Sequence, residues 1–206
     1  MSSKERKLLQ WYNMTDLNYE NNRILDLVDE NDNVIDSKSR IEIHRLGLIH
    51  REIQVWMFDE NKNIFFQKMG LHKRSAGLLD STVAGHVNKG EEYLDAAVRE
   101  TKEETGISVT HSDLIFLKKF KELNDPHAMV GGTVNNFISR MYIYKKPINQ
   151  KMLKKEAGIV GGGFQKLSYD FLHNPPEEYK QMIKNFVLTN QIPYVLEYLS
   201  TWKNQS

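Results

Sequence analysis

Residues Gly85–Ile107 read GHVNKGEEYLDAAVRETKEETGI. Glu100, Glu103 and Glu104 stand at i, i+3 and i+4, so a helix here projects three carboxylates from one side. Like charges so placed repel one another until a cation neutralises them. Mg²⁺ is the natural candidate, a hard ion held by one or two carboxylates together with substrate phosphates. Taking about 100° per residue, Leu94, Ala97, Val98 and Thr101 form one packing stripe, with the glutamates roughly 115° round from it. One face of the helix is thus expected to pack on a sheet while the other looks into a cleft. The competing reading of the acidic face is plain solvation, with Lys102 as local relief.

Outward from this helix, expected over about Glu92–Thr105 and closed by Gly106, the chain alternates between strand and turn signals. Ile24–Val28 and Val34–Ile35 flank the turn-rich DENDN and read as a hairpin, and Ser37–His44 as a short helix. Glu52–Phe58 and Asn63–Lys68 are stronger strands around DENKN, followed by a basic loop over residues 69–79 and a short strand over Asp80–Ala84. Leu114–Leu123 and Thr133–Tyr144 read as further strands. Pro176–Leu188 and Pro193–Trp202 read as helices, each opened by proline. Strands interleaved with a few helices, without regular βαβ alternation, predict an α+β domain. Residues 1–23 read as an N-terminal extension and 24–206 as a single domain.

Composition narrows the function classes. A chain of 206 residues that is 40% hydrophobic and 27% charged is long enough for one domain with a proper core. A formal net charge of +1 gives no electrostatic case for binding nucleic acid or an anionic membrane in bulk. The sequence has no cysteine, which excludes disulfides, zinc–thiolate sites and a thiol nucleophile and fits a cytoplasmic location. The charged start MSSKERKLLQWYNMTD does not read as a signal peptide, and no apolar run is long enough to span a bilayer.

The opening stretch resembles the Nudix hydrolase signature: Gly85, Glu91, Arg99, Glu100, Glu103, Glu104 and Gly106 hold its fixed positions, and Ile107 its closing aliphatic one. Thr101 departs, since a bulky apolar residue is expected there; lying in the packing stripe, it should weaken packing more than metal binding. The resemblance implies an α/β/α sandwich around a mixed β-sheet, here with extra C-terminal helices. It also implies hydrolysis of a diphosphate linkage in a nucleoside diphosphate joined to a further group X. It assigns Glu100, Glu103 and Glu104 as Mg²⁺ ligands, with Mn²⁺ as a substitute and the Gly85 carbonyl as an added oxygen. Arg99 then orients a glutamate by ion pairing, and Glu91 fixes the loop or reaches metal through water. A carboxylate must accept the proton of the attacking water, and Glu156 is a candidate for that remote base, against the reading of an exposed helix-start glutamate. Gly161–Gly163 reads as a flexible turn more readily than as a phosphate loop. Lys68, Lys73 and Arg74 are candidate anchors for substrate phosphate, against a merely solvated basic loop.

The flanks resemble one branch of that superfamily, the isopentenyl diphosphate isomerase-like proteins. The resemblance rests on LVDENDNVID, on His44 and His50, and on QKMGLHKRSAGLLDSTVAGHVNKGE, where Gln67, Lys68, Lys73, Gly77, Asp80, Gly85 and His86 agree. Met69, Gly70, Ala76 and Leu79 depart. The isomerases use a cysteine just before the Gly-His pair, where this chain has Ala84, and glutamates where it has Val134, Asn135 and Asn136. A methyl group cannot shuttle a proton. The isomerase metal sits on histidines and those glutamates, so His44, His50 and His86 read as an incomplete remnant. His44 and His50 are read as structural; His86 is open between ligand and structural residue. The partner expected is a small-molecule diphosphate, with no nucleic acid or membrane, and homodimerisation stays open. The alternatives to hydrolysis are a non-catalytic nucleotide- or diphosphate-binding module on the same fold and, least favoured, isopentenyl diphosphate isomerisation.

Overall fold

A computed structural model describes residues 22–71, 75–123, 135–154 and 161–203. Strands β1 (Ile24–Val28) and β2 (Val34–Ser39) form the expected antiparallel hairpin. Its turn is closed by the Asp29 carboxylate, which accepts the N–H groups of Asn31 and Asn33. Helix α1 (Arg40–Leu46) starts three residues later than the sequence suggests, because β2 continues to Ser39 and Ser39 then caps the helix in a box with Glu42.

Strand β3 (His50–Phe58) is the hub. It pairs antiparallel with β1, with β6 (Val83–His86) and with β4 (Ile64–Lys68), and parallel with β8 (Phe137–Tyr144), giving a mixed sheet. The 9-stranded sheet is completed by β5 (Leu79–Asp80), β7 (Leu114–Glu122) and β9 (Gly163–Leu167). The strand expected over Asp80–Ala84 is two, because the Thr82 hydroxyl donates to the Phe65 carbonyl and accepts the Met57 N–H, breaking the ladder between β5 and β6.

Helix α2 (Tyr93–Thr105) covers one face of the sheet. It ends at Gly106, whose φ of 74° is the left-handed conformation glycine adopts freely. Along β3 the side chains alternate between two cores. Ile53, Val55 and Met57 pack with Tyr93, Ala96 and Ala97 of α2. Trp56 and Phe58 point the other way, into a layer built from the C-terminal residues. A strand buried on both faces needs apolar side chains on both, which is how EIQVWMF reads.

The C-terminal layer differs most from expectation. The helix expected over Pro176–Leu188 is only α4 (Glu177–Lys180), because Met182–Lys184 leaves it to bond with β5. Val187–Gln191 is a π-helical turn leading into α5 (Ile192–Thr201), which carries Pro193 near its start. Strand β9 and helix α3 (Tyr169–His173) were not anticipated; the triple glycine read as a turn ends in a strand, Gly163 pairing with Lys68. A helix layer on each face of a mixed sheet is an α+β sandwich. No helix among the described residues is long and apolar enough to cross a membrane.

Candidate active site

The glutamate helix lies directly on β6. A Cβ added at Gly85 would stand 2.2 Å from Glu100 Cδ, so glycine is the residue that lets this carboxylate lie against the strand. Glu100 is buried, and its burial pushes the carboxyl above the usual range although Arg99 and Arg23 stabilise the anion. The stripe inferred from periodicity is therefore shifted. Tyr93, Ala96, Ala97, Glu100, Thr101 and Thr105 are the buried positions, with Leu94 and Val98 only partly so.

Arg99 organises the acids. Its Nε and Nη2 donate to the two oxygens of Glu91, both at 2.8 Å. Its Nη1 donates to Glu100 at 2.6 Å and to Glu103 at 3.1 Å, and Nη2 also reaches the His86 carbonyl at 3.0 Å. Burial works against the guanidinium's charge, but Glu91 and Glu100 hold its pKa above the ordinary value. Glu91 also accepts the Asn88 N–H, which pins the loop between β6 and α2. Glu104 turns to the strand and accepts the Ala84 N–H at 3.1 Å. Arg23 ties the hairpin to the site through Asn88 at 2.8 Å and Glu100 at 3.4 Å. An all-oxygen donor set of carboxylates fits a hard cation such as Mg²⁺, with Glu103 the solvent-facing member.

A second cluster forms where β3 and β6 end. The donor nitrogens of His44, His50 and His86 all lie within 4.8 Å of one another. His44 Nε2 stands 3.2 Å from His86 Nε2. Glu52 borders the trio, with Oε1 at 3.3 Å from His50 Nε2 and 3.7 Å from His86 Nε2, and it also accepts Asn135 Nδ2 at 3.1 Å. Burial and then the nearby Arg40 and histidines hold the His86 pKa well below the imidazole norm. Imidazole nitrogens suit Zn²⁺-like ions rather than Mg²⁺. The three histidines, which the sequence left as two structural residues and one open case, are thus one group.

Of the other candidates, Lys68 ends β4 with an exposed side chain. Lys73, Arg74 and Glu156 lie outside the described residues. Several residues of the site carried no signal that sequence reading used. Glu52 sits two residues from His50 on one strand, so period-two alternation places both on one face. Arg23 and Lys184 are joined to the site only by the fold, Lys184 through its 2.5 Å pair with Asp80.

The sequence profile described as the NUDIX domain matches residues 48–162, more than half of the chain. The chain belongs to the Nudix family. Among curated proteins this Nudix chain is 40% identical over 86 residues to an isopentenyl-diphosphate Δ-isomerase of Serratia proteamaculans, a match covering 41% of this chain and 48% of that one. It is 34% identical over 143 residues to an uncharacterized Nudix hydrolase of Clostridium acetobutylicum, covering 66% of each. It therefore spans about half the length of the isomerase it matches. Among solved structures, a protein from Deinococcus radiodurans superposes with a TM-score of 0.55 at 20% identity, over 73% of this chain and 86% of that one. A MutT protein from Methanosarcina mazei superposes with a TM-score of 0.54 at 13% identity, over 75% and 96%. At those identities the superpositions speak for the Nudix fold alone.

Proposed function

We propose that the chain is a Mg²⁺-dependent pyrophosphohydrolase that cleaves the diphosphate linkage of a nucleoside diphosphate-X substrate. The observation that carries this reading is Glu100 lying on Gly85 with Arg99 clamped across Glu91, Glu100 and Glu103. A phosphoanhydride is anionic and repels an attacking water; bound divalent metal, held by Glu100, Glu103, Glu104 and the Gly85 carbonyl, supplies the neutralising charge. The chain's own groups do the rest. Arg99 keeps the acids from splaying, Glu91 fixes the loop, and an acid of this set or Glu156 takes the proton from water. Lys68, Lys73 and Arg74 offset substrate charge.

A screen of nucleotide sugars, dinucleoside polyphosphates, nucleotide coenzymes and prenyl diphosphates with Mg²⁺ or Mn²⁺ tests the reading. Release of a monophosphate product is expected. Intact ligands after long incubation, combined with tight nucleotide binding, would instead support a binding module.

A second reading is favoured by the converging histidines and by the relative named as an isomerase: isopentenyl diphosphate isomerisation. Against it, Ala84 has no ionisable group, and the Asn135 amide cannot act as a proton acceptor. Allylic product from isopentenyl diphosphate would restore it.

A further inference from the structure

Part of the chain beyond the Nudix match runs back along β5. Segment Met182–Lys184 lies along β5, with the Leu79 N–H donating to the Met182 carbonyl (2.7 Å) and the Lys184 N–H donating to the Leu79 carbonyl (3.0 Å). Ile183 is buried between them and forms a parallel bridge with Leu79. These bonds fix where side chain 184 begins. Its Nζ donates to Asp80 Oδ2 at 2.5 Å.

The pair is asymmetric. The Asp80 side chain is 8% exposed, that of Lys184 32%, so the acid is enclosed while the lysine side chain is only partly covered. An ammonium has three protons, and Asp80 takes one; among the described residues no other partner takes the remaining two. Burial works against the ammonium's charge, but Asp80 and then Glu52, beside the histidines, and Glu104, at the end of the acid helix, hold its pKa above the ordinary value. Lys184 thus stands in the field of both acidic groups of the site.

Two polar side chains buried on the sheet each have an oxygen without a hydrogen-bond partner among the described residues. Gln54 is 3% exposed and Ser139 fully buried, and Gln54 Oε1 and Ser139 Oγ have no hydrogen-bond partner among the described residues. Gln54 follows Glu52 by two on β3 and pairs with Ala84, and Ser139 pairs with Glu52, so all three share a face. Polar atoms buried in this way are ordinarily satisfied, by solvent or by a ligand.

We infer that Lys184, delivered from outside the matched Nudix region, is a substrate-binding residue of this site, its free protons donating to a phosphate oxygen of the diphosphate. A phosphate brought next to Glu52 and Glu104 is repelled unless a cation stands between them, and Lys184 is placed to be that cation. The inference rests on the diphosphate reading above.

Calorimetry with inorganic pyrophosphate and Mg²⁺ on the full chain tests it, run on wild type, K184M and K184R with thermal melting in parallel. The expected result is affinity about tenfold weaker or more in K184M, which stays folded at the assay temperature but melts lower because the enclosed Asp80 loses its partner, with K184R restoring most of both. On any diphosphate the wild type turns over, K184M should raise KM and leave kcat nearly unchanged. Pyrophosphate affinity in K184M within twofold of wild type would overturn the assignment while leaving hydrolysis standing. So would affinity that falls only together with the fold and is not recovered by arginine. A wild type that neither binds pyrophosphate nor hydrolyses any diphosphate would overturn the hydrolase reading and the assignment together.

Discussion

At the scale of single residues, Thr101 departs from the family signature and is fully buried, its hydroxyl without a partner among the described residues. A buried hydroxyl without a partner costs about 1–3 kcal/mol. Thr101→Val keeps the shape and removes that cost, so it should raise stability by about 1 kcal/mol in denaturant melts; a loss would show that the hydroxyl has a partner in solution. Arg99 behaves in the opposite way. Arg99→Met leaves Glu91 and Glu100 facing one another with little compensation, and should destabilise by about 2–4 kcal/mol besides lowering turnover. Gly85→Ala would set its methyl against the Glu100 carboxyl and push that acid off the strand, so turnover should fall even where the fold survives. These effects were only partly legible beforehand. The spacing of Glu100, Glu103 and Glu104 was plain, but the burial of Glu100 was not, because periodicity ranks hydropathy and the requirement here is contact with a glycine.

At the scale of elements, the β1–β2 turn, the start of α2 and the sheet edge are joined through Asp32. Its carboxylate takes Arg51 Nε at 2.7 Å, Tyr93 Oη at 2.9 Å and Lys119 Nζ at 2.8 Å. Tyr93 lies under Arg51 and Arg140, whose guanidinium carbons stand 5.2 and 4.4 Å from its ring centroid. Burial alone would raise the Asp32 pKa, but the bonds from Lys119, Arg51 and Tyr93 hold it below the ordinary carboxylate value. A depressed folded-state pKa stabilises the fold above the unfolded value, about 3.9, and that contribution is lost as pH falls through the folded value. Asp32→Asn should therefore cost about 2 kcal/mol at neutral pH, and the difference from wild type should shrink below about pH 4 in urea melts across pH. A pH-independent difference would contradict the linkage. The hairpin itself was legible from DENDN. Its tie to α2 was not, because Asp32 and Tyr93 are 61 residues apart.

At the scale of the whole molecule, the C-terminal layer is as much core as the acid helix. Trp56 donates to Gln191 at 3.2 Å, and Val195 and Leu199 are fully buried against β3 and β4. We propose that residues 24–206 unfold as one unit. Leu199→Ala should cost about 2–5 kcal/mol and shift the tryptophan and far-ultraviolet transitions together. Separate transitions would divide the chain. The layer was the least legible part of the sequence. Proline openings mark Pro176 and Pro193 correctly, but the stretch between them pairs with β5 over Met182–Lys184, and a helical pattern does not reveal a distant strand edge seeking a partner. The same pairing brings Lys184 to the cleft, so the misread element and the missed residue have one cause.

The most direct test of metal-dependent hydrolysis is the turnover of diphosphate substrates by wild type and Glu103→Gln in saturating Mg²⁺. Glu103 is solvent-facing, so the substitution leaves the fold intact. A fall on the order of 10³-fold at an unchanged melting temperature is expected. Turnover within a factor of about ten of wild type would show that the acids of α2 do not carry the reaction.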